Sequence, residues 1–273
     1  MVAVSGGVDS VSLLHMLSEA TDHEIIVAHF DHGIREDSAE DAVLVASLAE
    51  KYGFEYETQK VALGPQASEE TARYHRYAFL RNIANKHNAK IITAHHGDDV
   101  IETIAINFHR GTGWRGLAVL DSDVFRPLLH LSKADLVKYA QQRKLVWRED
   151  STNSSDKYLR NRLRPAAAAL DTDVKRQLMA LRSQQLESKK QIDTHIAALI
   201  GEGPNYSRYF FTHIPPQVAL ECLRYVTRAK LTRPQLERAL LAIKTASSKS
   251  SYQAGAGITF DFTTRNFSFS LLK

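Results

Sequence analysis

A glycine-rich loop close to the first residue restricts the fold of this chain more than any other feature. A short apolar stretch, Val2 to Val4, runs directly into the loop, and a pattern of helical periodicity follows it. Two consecutive glycines allow a sharp turn and a close approach of the backbone to a ligand. The following helix directs its unpaired N–H groups and the positive end of its dipole at the loop, which predicts an anion site. The loop residues are Ser5, Gly6, Gly7, Val8, Asp9 and Ser10.

The chemistry of the loop favours a nucleotide that is cut at its α-phosphate. The loop lacks the Gly-Lys-Ser/Thr ending of a Walker A sequence, so it offers no lysine to steady a transferring γ-phosphate. Ser5 and Ser10 add hydroxyl donors for the anion. Asp9 places a carboxylate beside the anion, which is tolerable where a divalent cation lies between the two negative groups. The loop therefore predicts a cradle for pyrophosphate, with a cation at Asp9.

Strand and helix patterns alternate along the first part of the chain. After the first strand and its helix, runs rich in Ile and Val alternate with stretches of helical periodicity. This alternation predicts an α/β fold with a parallel sheet covered on both faces by helices, and ligands at the carboxyl ends of the strands. The predicted strands are 24–30, 54–61, 90–94 and 124–128. The predicted helices are 38–52, 69–87 with Ser68 as its N-cap, 98–108 and one that opens at Ser132 in a Ser-x-x-Asp cap.

The pattern and the charge both change along the chain, so we predict a first domain at residues 1–165 and a smaller, mainly helical domain at residues 166–273. Residues 1–159 carry 17 Lys and Arg against 23 Asp and Glu, whereas residues 160–273 carry 18 against 8. This asymmetry predicts a catalytic domain joined to one that binds a polyanion, for which RNA is the natural candidate; a solvated basic surface is the alternative. The final residues alternate apolar and polar side chains, which predicts a closing hairpin.

Composition excludes several other classes of protein. Cys222 is the one cysteine, so the chain has no internal disulfide and no Cys-x-x-Cys metal or redox site. We predict that Cys222 is a small buried residue. No apolar run reaches the roughly 18 residues of a membrane span, and no export signal opens the sequence. These features predict a cytoplasmic protein without a membrane partner.

Further sequence blocks follow the loop in a fixed order, and together they carry a family resemblance. The SGGVDS loop after a strand is the signature of the PP-loop ATP pyrophosphatase superfamily. With the later blocks, the chain resembles the tRNA(Ile)-lysidine synthetase family over roughly its first three fifths. The later blocks are VAHFDHGIRE at 27–36, ITAHHGDDVIETIAINFHRGTG at 92–113, RPLL at 126–129 and EDSTNSSDKYLRNRLR at 149–164.

The resemblance implies that the block at 27–36 borders the pocket for the adenosine of ATP. His29, Asp31 and Arg35 are the predicted nucleotide-binding residues of this block, beside the six loop residues. Histidines two or three positions apart next to an aspartate also suit a metal site, but the chain offers no cysteine and no clear third cluster to complete one. Arg35 would counter phosphate charge, with an exposed loop arginine as the alternative.

The resemblance also implies that Mg²⁺ and the amine of a lysine substrate gather at the block 92–113. Carboxylates attract a lysine ε-ammonium, which must lose a proton before it attacks. Asp98 or Asp99 would assist this step, and His95 or His96 is the less defined candidate; acidic residues that only complement a helix dipole are the alternative. The predicted catalytic residues are Asp9, His95, Asp98, Asp99 and Arg110, and the predicted metal ligands are Asp9 and Asp98.

Arginines in two basic segments are the predicted contacts to nucleic acid. Arg115 lies in a glycine-rich, basic and aromatic loop, which is otherwise typical of a plain surface turn. The remaining arginines follow a polar turn and share a short basic helix. The resemblance implies that this helix lies near the entrance for tRNA. The alternative is that the arginines form the basic face of a simple domain junction. They are Arg160, Arg162 and Arg164.

The resemblance implies a two-step reaction that uses ATP and Mg²⁺. The O2 of the wobble cytidine of a CAU-anticodon isoleucine tRNA attacks the α-phosphate of ATP, and the ε-amine of free L-lysine then displaces AMP at C2. A PP-loop tRNA thiolase is one alternative, although thiolases usually need several cysteines; an amidating ligase and a non-catalytic tRNA-binding or nucleotide-binding module are others. The sequence leaves open whether the chain forms a homodimer.

Overall fold

The computed structural model describes residues 1–20, 23–33, 38–64, 67–149, 159–201 and 203–271. The chain forms two compact units, Met1–Leu186 and Glu187–Lys273, and each is described by itself. The sequence pattern predicts a domain boundary after residue 165, but the first unit extends to Leu186. The reason is that Leu178 and Met179 pack against the buried side chains of Val100 and Ile104.

The first unit alternates strands and helices as the sequence predicts. Its strands are β1 (Val2–Ala3), β2 (Ile26–Asp31) and β3 (Glu55–Lys60). Its helices are α1 (Val8–Ala20), α2 (Ser38–Tyr52), α3 (Glu69–Lys86), α4 (Gly97–His109), α5 (Lys133–Gln142) and α6 (Leu159–Ala168), with a 3₁₀ turn at Trp114–Leu117 between α4 and α5. Helix α7 (Thr172–Ile200) begins in this unit and ends in the second.

The sheet of the first unit is parallel, in the order β3-β2-β1. Val2 lies opposite Val27, and Ile26 lies opposite Glu55. Parallel bridges from Val2 to Ile92 and from Ile92 to Phe125 extend the sheet beyond β1. Within the described part of the chain, the predicted fourth and fifth strands are therefore reduced to single bridging residues. With these bridges, β1 lies at the centre of the sheet, and the glycine-rich loop follows it.

Helices bury both faces of this sheet. Strand β2 is apolar on each side: Val27 packs in a cluster with Leu14 of α1, and Ala28 packs in a cluster with Leu80 and Ile83 of α3. A strand that is buried on both faces is expected at the centre of a parallel sheet. The α/β fold class predicted from the sequence is confirmed by this arrangement.

Two predicted helix starts are confirmed by their caps. The hydroxyl of Ser68 accepts a hydrogen bond of 3.0 Å from the N–H of Thr71 at the start of α3. At the start of α5, the hydroxyl of Ser132 accepts from the N–H of Asp135, whose carboxylate accepts from the N–H of Ser132 at 2.9 Å. This capping box sets the first residue of α5, Lys133, in place.

The second unit packs helices against an antiparallel sheet. Strands β6 (Ile258–Phe262) and β7 (Asn266–Leu271) form the predicted closing hairpin, and the sheet order is β4-β7-β6-β5. The sequence pattern missed β4, which has three residues, and β5, which contains a glycine. Neither strand shows an alternation of apolar and polar residues. The remaining elements are β4 (Asn205–Ser207), α8 (Arg208–His213), α9 (Pro216–Val226), α10 (Arg233–Thr245) and β5 (Ser251–Gly255).

The core of the second unit is aromatic and contains the one cysteine. Phe211, Phe260 and Phe267 are fully buried, and Cys222 packs with them. Burial raises the pKa of the Cys222 thiol to about 11, so the predicted role as a small buried residue is confirmed. Among the residues that the structure describes, no helix is at once long and apolar enough to cross a bilayer.

Candidate active site

A cavity of about 410 Å³ opens in the first unit where β1 and β2 end. This volume lies within the range of small-molecule sites, roughly 300–1,000 Å³, and the carboxyl edge of a parallel sheet is where such sites are expected. The cavity brings together residues of the block 27–36, of the block 92–113 and of the glycine-rich loop. The predicted site residues in its lining are Ser5, Gly7, Asp9, Ser10, His29, Asp31, His95 and Asp99.

Hydrogen bonds within the chain hold the glycine-rich loop in shape. Gly6 has φ +89°, a conformation that favours glycine, and its carbonyl accepts from the N–H of Arg148 at 3.0 Å. The hydroxyl of Ser10 accepts from the N–H of Ser5 at 3.1 Å and donates to the carbonyl of Gly7 at 3.0 Å. The single hydroxyl hydrogen of Ser10 is therefore used by the loop, which corrects the expectation that this hydroxyl donates to the anion.

The backbone of α1 supplies donors for an anion. The first hydrogen bond within the helix runs from the N–H of Val11 to the carbonyl of Gly7 at 3.0 Å. The N–H groups of Val8, Asp9 and Ser10 consequently have no acceptor within the helix, and they lie at the positive end of its dipole. The side chain of Val8 is buried in the core, so this residue offers its backbone alone.

Three carboxylates surround His96 at the start of α4. The imidazole Nε2 lies 3.8 Å from Asp9 Oδ2 and 3.6 Å from Asp99 Oδ2, and Nδ1 lies 3.9 Å from Asp98 Oδ2. His96 is 6% exposed. Asp99 also caps the helix, because its Oδ2 accepts from the N–H of His96 at 2.9 Å. The structure thus joins the predicted residues Asp9, Asp98 and Asp99 around His96, whereas His95 lies on the cavity wall.

Two lysines that the sequence analysis missed contact these carboxylates. The ammonium of Lys133 lies 2.8 Å from both carboxylate oxygens of Asp9, and its backbone N–H donates to Asp98 at 2.8 Å. The ammonium of Lys175 lies 3.1 Å from Asp98 Oδ1. Burial alone raises the pKa of Asp98, but these bonds from Lys133 and Lys175 hold it below its usual value. Asp98 is therefore ionised at neutral pH.

The carboxylate cluster offers the type of ligand that magnesium prefers. Mg²⁺ prefers hard oxygen ligands and takes one or two carboxylates together with substrate phosphates. Asp9 stands on the first turn of the phosphate-binding helix, and Asp98 and Asp9 share Lys133 as a partner. The ammonium groups of Lys133 and Lys175 occupy carboxylate oxygens of Asp9 and Asp98, so a divalent cation held there would replace these contacts.

His95 is neutral at ordinary pH. Burial is the main cause that lowers its pKa to about 4; the arginines Arg126, Arg76 and Arg73 lower it further, while Asp99 opposes them. Its Nδ1 lies 2.8 Å from the hydroxyl oxygen of Thr93. A neutral imidazole on the cavity wall can accept a hydrogen bond or a proton, but it brings no positive charge to the site.

We expect the neutral state of His95 to be visible in the pH dependence of stability. The unfolded chain takes up a proton at this residue near pH 6.5, whereas the folded protein resists protonation until about pH 4. The stability that this difference contributes is present above pH 6.5 and is lost as the pH falls towards 4, by about 2–3 kcal/mol. Urea unfolding of the wild type and of His95→Gln at pH 7, 5.5 and 4 measures it. Parallel curves for the two proteins would contradict the assignment.

The remaining residues of the block 27–36 differ in their roles. The Asp31 carboxylate accepts from the N–H of Gly33 at 2.8 Å and from the hydroxyl of Ser38 at 3.1 Å, so it closes the connection from β2 to α2 as well as lining the cavity. Burial raises the pKa of Asp31, but these bonds and the ammonium of Lys60 hold it below its usual value. Arg35 lies outside the described residues.

Arg110 lies far from the cavity. It is exposed and follows the last turn of α4, whereas Asp98 lies in the first turn of the same helix. With a rise of 1.5 Å per residue, the two positions are about 18 Å apart. The structure does not bring Arg110 together with the other predicted catalytic residues.

The predicted nucleic-acid arginines lie in different surroundings. Arg115 stacks on Trp114, with its guanidinium carbon 4.7 Å from the ring centre. Arg162 is exposed, and the side chain of Arg160 lies outside the described residues. Arg164 donates from Nε to the buried Glu102 carboxylate at 2.9 Å, so it joins α6 to α4 instead of facing solvent fully.

Comparisons with known proteins agree with this geometry. A family model described as the PP-loop domain matches residues 1–169. The tRNA(Ile)-lysidine synthase of Exiguobacterium sibiricum is 40% identical over 171 residues, which are 60% of this chain and 41% of the relative. The corresponding enzyme of Novosphingobium aromaticivorans is 37% identical over 180 residues, which are 62% of this chain and 55% of the relative. The chain therefore spans about half or less of the length of these relatives.

A solved structure shows the same fold at low sequence identity. The U34-tRNA thiolase NcsA from Methanococcus maripaludis, solved with its iron–sulfur cluster, superposes with a TM-score of 0.54 and 15% identity. The match covers 70% of this chain and 71% of the thiolase. At this identity the likeness concerns the fold alone.

Proposed function

We propose, on the premise that this chain belongs to the PP-loop domain family, that it uses ATP to join L-lysine to the wobble cytidine of a CAU-anticodon isoleucine tRNA. In the first step the cytidine O2 bonds to the α-phosphorus and pyrophosphate leaves. In the second step the lysine ε-amine bonds to C2 of the base, loses a proton, and AMP leaves. The product is lysidine, which changes decoding from AUG to AUA. The names of the similar proteins support this choice of substrate.

One structural observation carries the proposal: the anion-binding loop and the carboxylate cluster meet at one cavity. Lys133 joins them directly, since its ammonium contacts Asp9 on α1 and its backbone contacts Asp98 on α4. A cleavage at the α-phosphate needs donors for the departing pyrophosphate and charge neutralisation beside it. The loop and the cluster offer both within the first unit.

The loop residues bind and orient the nucleotide in this proposal. The N–H groups of Val8, Asp9 and Ser10, which have no acceptor within the helix, hold the pyrophosphate portion of ATP at the helix end. Asp9 and Asp98 would hold Mg²⁺, which supplies charge neutralisation at the pyrophosphate leaving group. Gly6, with its positive φ, lets the backbone turn close to the phosphates.

The carboxylate cluster suits a lysine substrate. It accepts two ammonium groups of this chain, from Lys133 and Lys175, so its carboxylates bind the chemical group that a lysine substrate carries. An ammonium is not nucleophilic, and a nearby base must take its proton before the attack. Asp99 and the neutral His95 both line the cavity and can accept that proton.

The basic part of the chain supports tRNA as the partner. Residues 160–273 carry 18 Lys and Arg against 8 Asp and Glu, and the exposed Arg162 belongs to this part. A positive surface attracts the phosphate backbone whatever the sequence. We place the reaction in the cytoplasm, and we leave the homodimer as a question for measurement of the oligomeric state.

The single cysteine argues against the thiolase alternative. Cys222 lies in the core of the second unit, and burial raises its pKa to about 11. A sulfur relay needs an accessible thiolate. The only cysteine of the chain does not meet that need.

Incorporation of radiolabelled lysine into a CAU-anticodon isoleucine tRNA transcript tests the proposal. The reaction contains ATP and MgCl₂, and nuclease digestion identifies the labelled nucleoside. We expect label in a modified cytidine, and none in a transcript whose wobble cytidine is replaced by uridine. Formation of AMP and pyrophosphate without label would remove the lysine assignment. If neither occurs, the non-catalytic binding module replaces the enzyme.

A further inference from the structure

Arg148 contacts the glycine-rich loop from a distant part of the chain. Its backbone N–H donates to the carbonyl of Gly6 at 3.0 Å, and Gly6 is the loop residue with a positive φ, +89°. The residue before it, Trp147, packs against the same core cluster that contains Val8 of the loop. Arg148 also belongs to the lining of the candidate active-site cavity. The loop is therefore held at its turn by a residue that lies beside the site.

The guanidinium of Arg148 is bound to the start of α2. Its Nε donates to Oδ1 of Asp41 at 2.8 Å, and its Nη1 donates to the carboxylate of Glu40. Asp41 is 5% exposed, and a buried carboxylate is costly unless it is paired. A guanidinium has its donors at fixed angles in one plane, so two acceptors also fix its orientation. These contacts hold Arg148 in place relative to α2.

Asp41 itself packs against the loop. A Cβ added at Gly6 would lie 3.6 Å from the Cβ of Asp41 and 3.7 Å from its Oδ1, so the backbone of Gly6 lies directly against this side chain. Asp41 lines the cavity as Arg148 does. Gly6 is thus held by packing on Asp41 and by a hydrogen bond from Arg148, and the ion pair joins the two residues that hold it.

The orientation of this turn decides where the donors of α1 point. The N–H groups of Val8, Asp9 and Ser10 follow the turn directly and have no acceptor within the helix. Hydrogen bonds weaken steeply as donor and acceptor become misaligned, so these groups bind one anion well only if the turn before them is fixed. Neither Arg148 nor Asp41 belongs to the sequence blocks that carry the family resemblance.

We propose that the Arg148–Asp41 ion pair positions the glycine-rich loop for pyrophosphate, acting through Gly6. This inference rests on the proposed function, because it takes ATP and its pyrophosphate portion as the ligands of the loop. Arg148 and Asp41 are positioning residues, since they act on the ligand through the backbone of the loop. The pair orders the turn before the nucleotide arrives, so binding does not have to supply the cost of ordering it.

Isothermal titration of the full chain with inorganic pyrophosphate and with ATP, each with MgCl₂, tests the proposal. We expect both ligands to bind Arg148→Met and Asp41→Ala about 10-fold more weakly than the wild type. Loss of the Asp41 carboxylate from the cavity wall would by charge alone strengthen anion binding, so weaker binding identifies positioning. Arg148→Lys keeps the charge without the planar fork, and we expect it to bind about 3-fold more weakly. Asp41→Asn gives the same comparison if Asp41→Ala does not fold.

Amide hydrogen exchange in the absence of ligand gives a second, local measurement. The N–H of Ser5 is bonded to the hydroxyl of Ser10 at 3.1 Å, and the N–H of Val11 is bonded to the carbonyl of Gly7 at 3.0 Å. We expect both amides to exchange faster in Arg148→Met and in Asp41→Ala. The N–H of Ala3 is bonded within the sheet at 2.9 Å and should keep its protection, because the loop opens locally.

Two further variants serve as controls. Arg143 forms a similar ion pair with Glu19 at 3.3 Å, in the last turn of α1, at the opposite end from the loop. Arg143→Met removes that pair and should keep the wild-type affinity and exchange rates. The double variant of Arg148→Met and Asp41→Ala should bind pyrophosphate no more weakly than either single variant, because the two residues act as one unit.

Several outcomes would overturn the inference. Wild-type affinity in Arg148→Met, or tighter binding in Asp41→Ala, would show that the pair does not position the loop. Additive losses in the double variant would show that the two residues act separately. Faster exchange at Ala3 to the same extent as at Ser5 and Val11 would assign the effect to general destabilisation. Failure of the wild type to bind pyrophosphate or ATP would remove the proposed function itself, and it is seen before any variant is compared.

Discussion

Asp9→Asn is expected to lower the tRNA-dependent formation of AMP and pyrophosphate by about 10²- to 10³-fold, the usual effect of losing one group that stabilises transition-state charge. Asparagine keeps the size of the side chain and removes the charge that Asp9 brings to the helix end. Asp9 is paired with Lys133 at a partly exposed position, so we expect the free energy of unfolding to change by less than about 1 kcal/mol. Single-turnover kinetics with labelled ATP measures the rate.

The control for Asp9→Asn lies on the same two helices. Glu19 of α1 pairs at 3.3 Å with Arg143, the residue that caps the end of α5, as Asp9 of α1 pairs with Lys133 at the start of α5. Glu19→Gln removes an equivalent charge far from the loop and should keep the wild-type rate. A gel shift with the tRNA transcript should show unchanged binding in both variants. Asp9→Asn that retains more than about one tenth of the wild-type rate would contradict a role at the α-phosphate.

Gly97→Ala is expected to displace the residues that carry the site. A Cβ at Gly97 would lie 3.0 Å from the carbonyl oxygen of Leu131 and 3.2 Å from that of Leu129. These are backbone atoms, and the N–H of Gly97 also donates to the Leu131 carbonyl at 2.8 Å. Neither α4 nor the Leu129–Leu131 segment can therefore move away without a cost in free energy. The first turn of α4 must shift, and Asp98 shifts with it. We expect a loss of about 1–3 kcal/mol in stability and of up to about 10² in rate.

Gly113→Ala is the matched control for this substitution. Gly113 has φ −68°, and a Cβ there would meet no atom within 4 Å. Its replacement should change the free energy of unfolding by less than about 0.5 kcal/mol. Urea unfolding and the lysine incorporation assay should therefore separate the two variants. Equal effects at Gly97 and Gly113 would show that close packing against the Leu131 segment does not position α4.

The parts of the fold that the sequence predicted depend on short stretches of chain. The strand, loop and helix at the start follow from apolar residues, two glycines and a helical repeat, all within 20 residues. Ser68 and Ser132 marked helix starts because a cap bonds to the third residue of its own helix. The closing hairpin followed from alternation, whereas β4 and β5 carry no such pattern.

The sequence predicted the residue types of the candidate site but not the position of every side chain. The sequence blocks indicated Asp9, Asp98 and Asp99 by residue type and by their place after predicted strands. Sequence alone did not separate His95 from His96, which differ by one position. The structure places His96 among the carboxylates and His95 on the cavity wall, because the chain turns from strand direction into α4 between them.

The sequence by itself therefore determined the order of elements, the anion-binding loop and the residue types of the site, since each depends on neighbours along the chain. Only the tertiary structure decided which charges meet. Lys133 reaches Asp9 across 124 positions, Lys175 reaches Asp98 across 77, and Arg164 reaches Glu102 across 62. Helix α4 also carries Arg110 away from the cavity. Electrostatic pairing depends on distance in space, and packing of the helices on the sheet sets that distance.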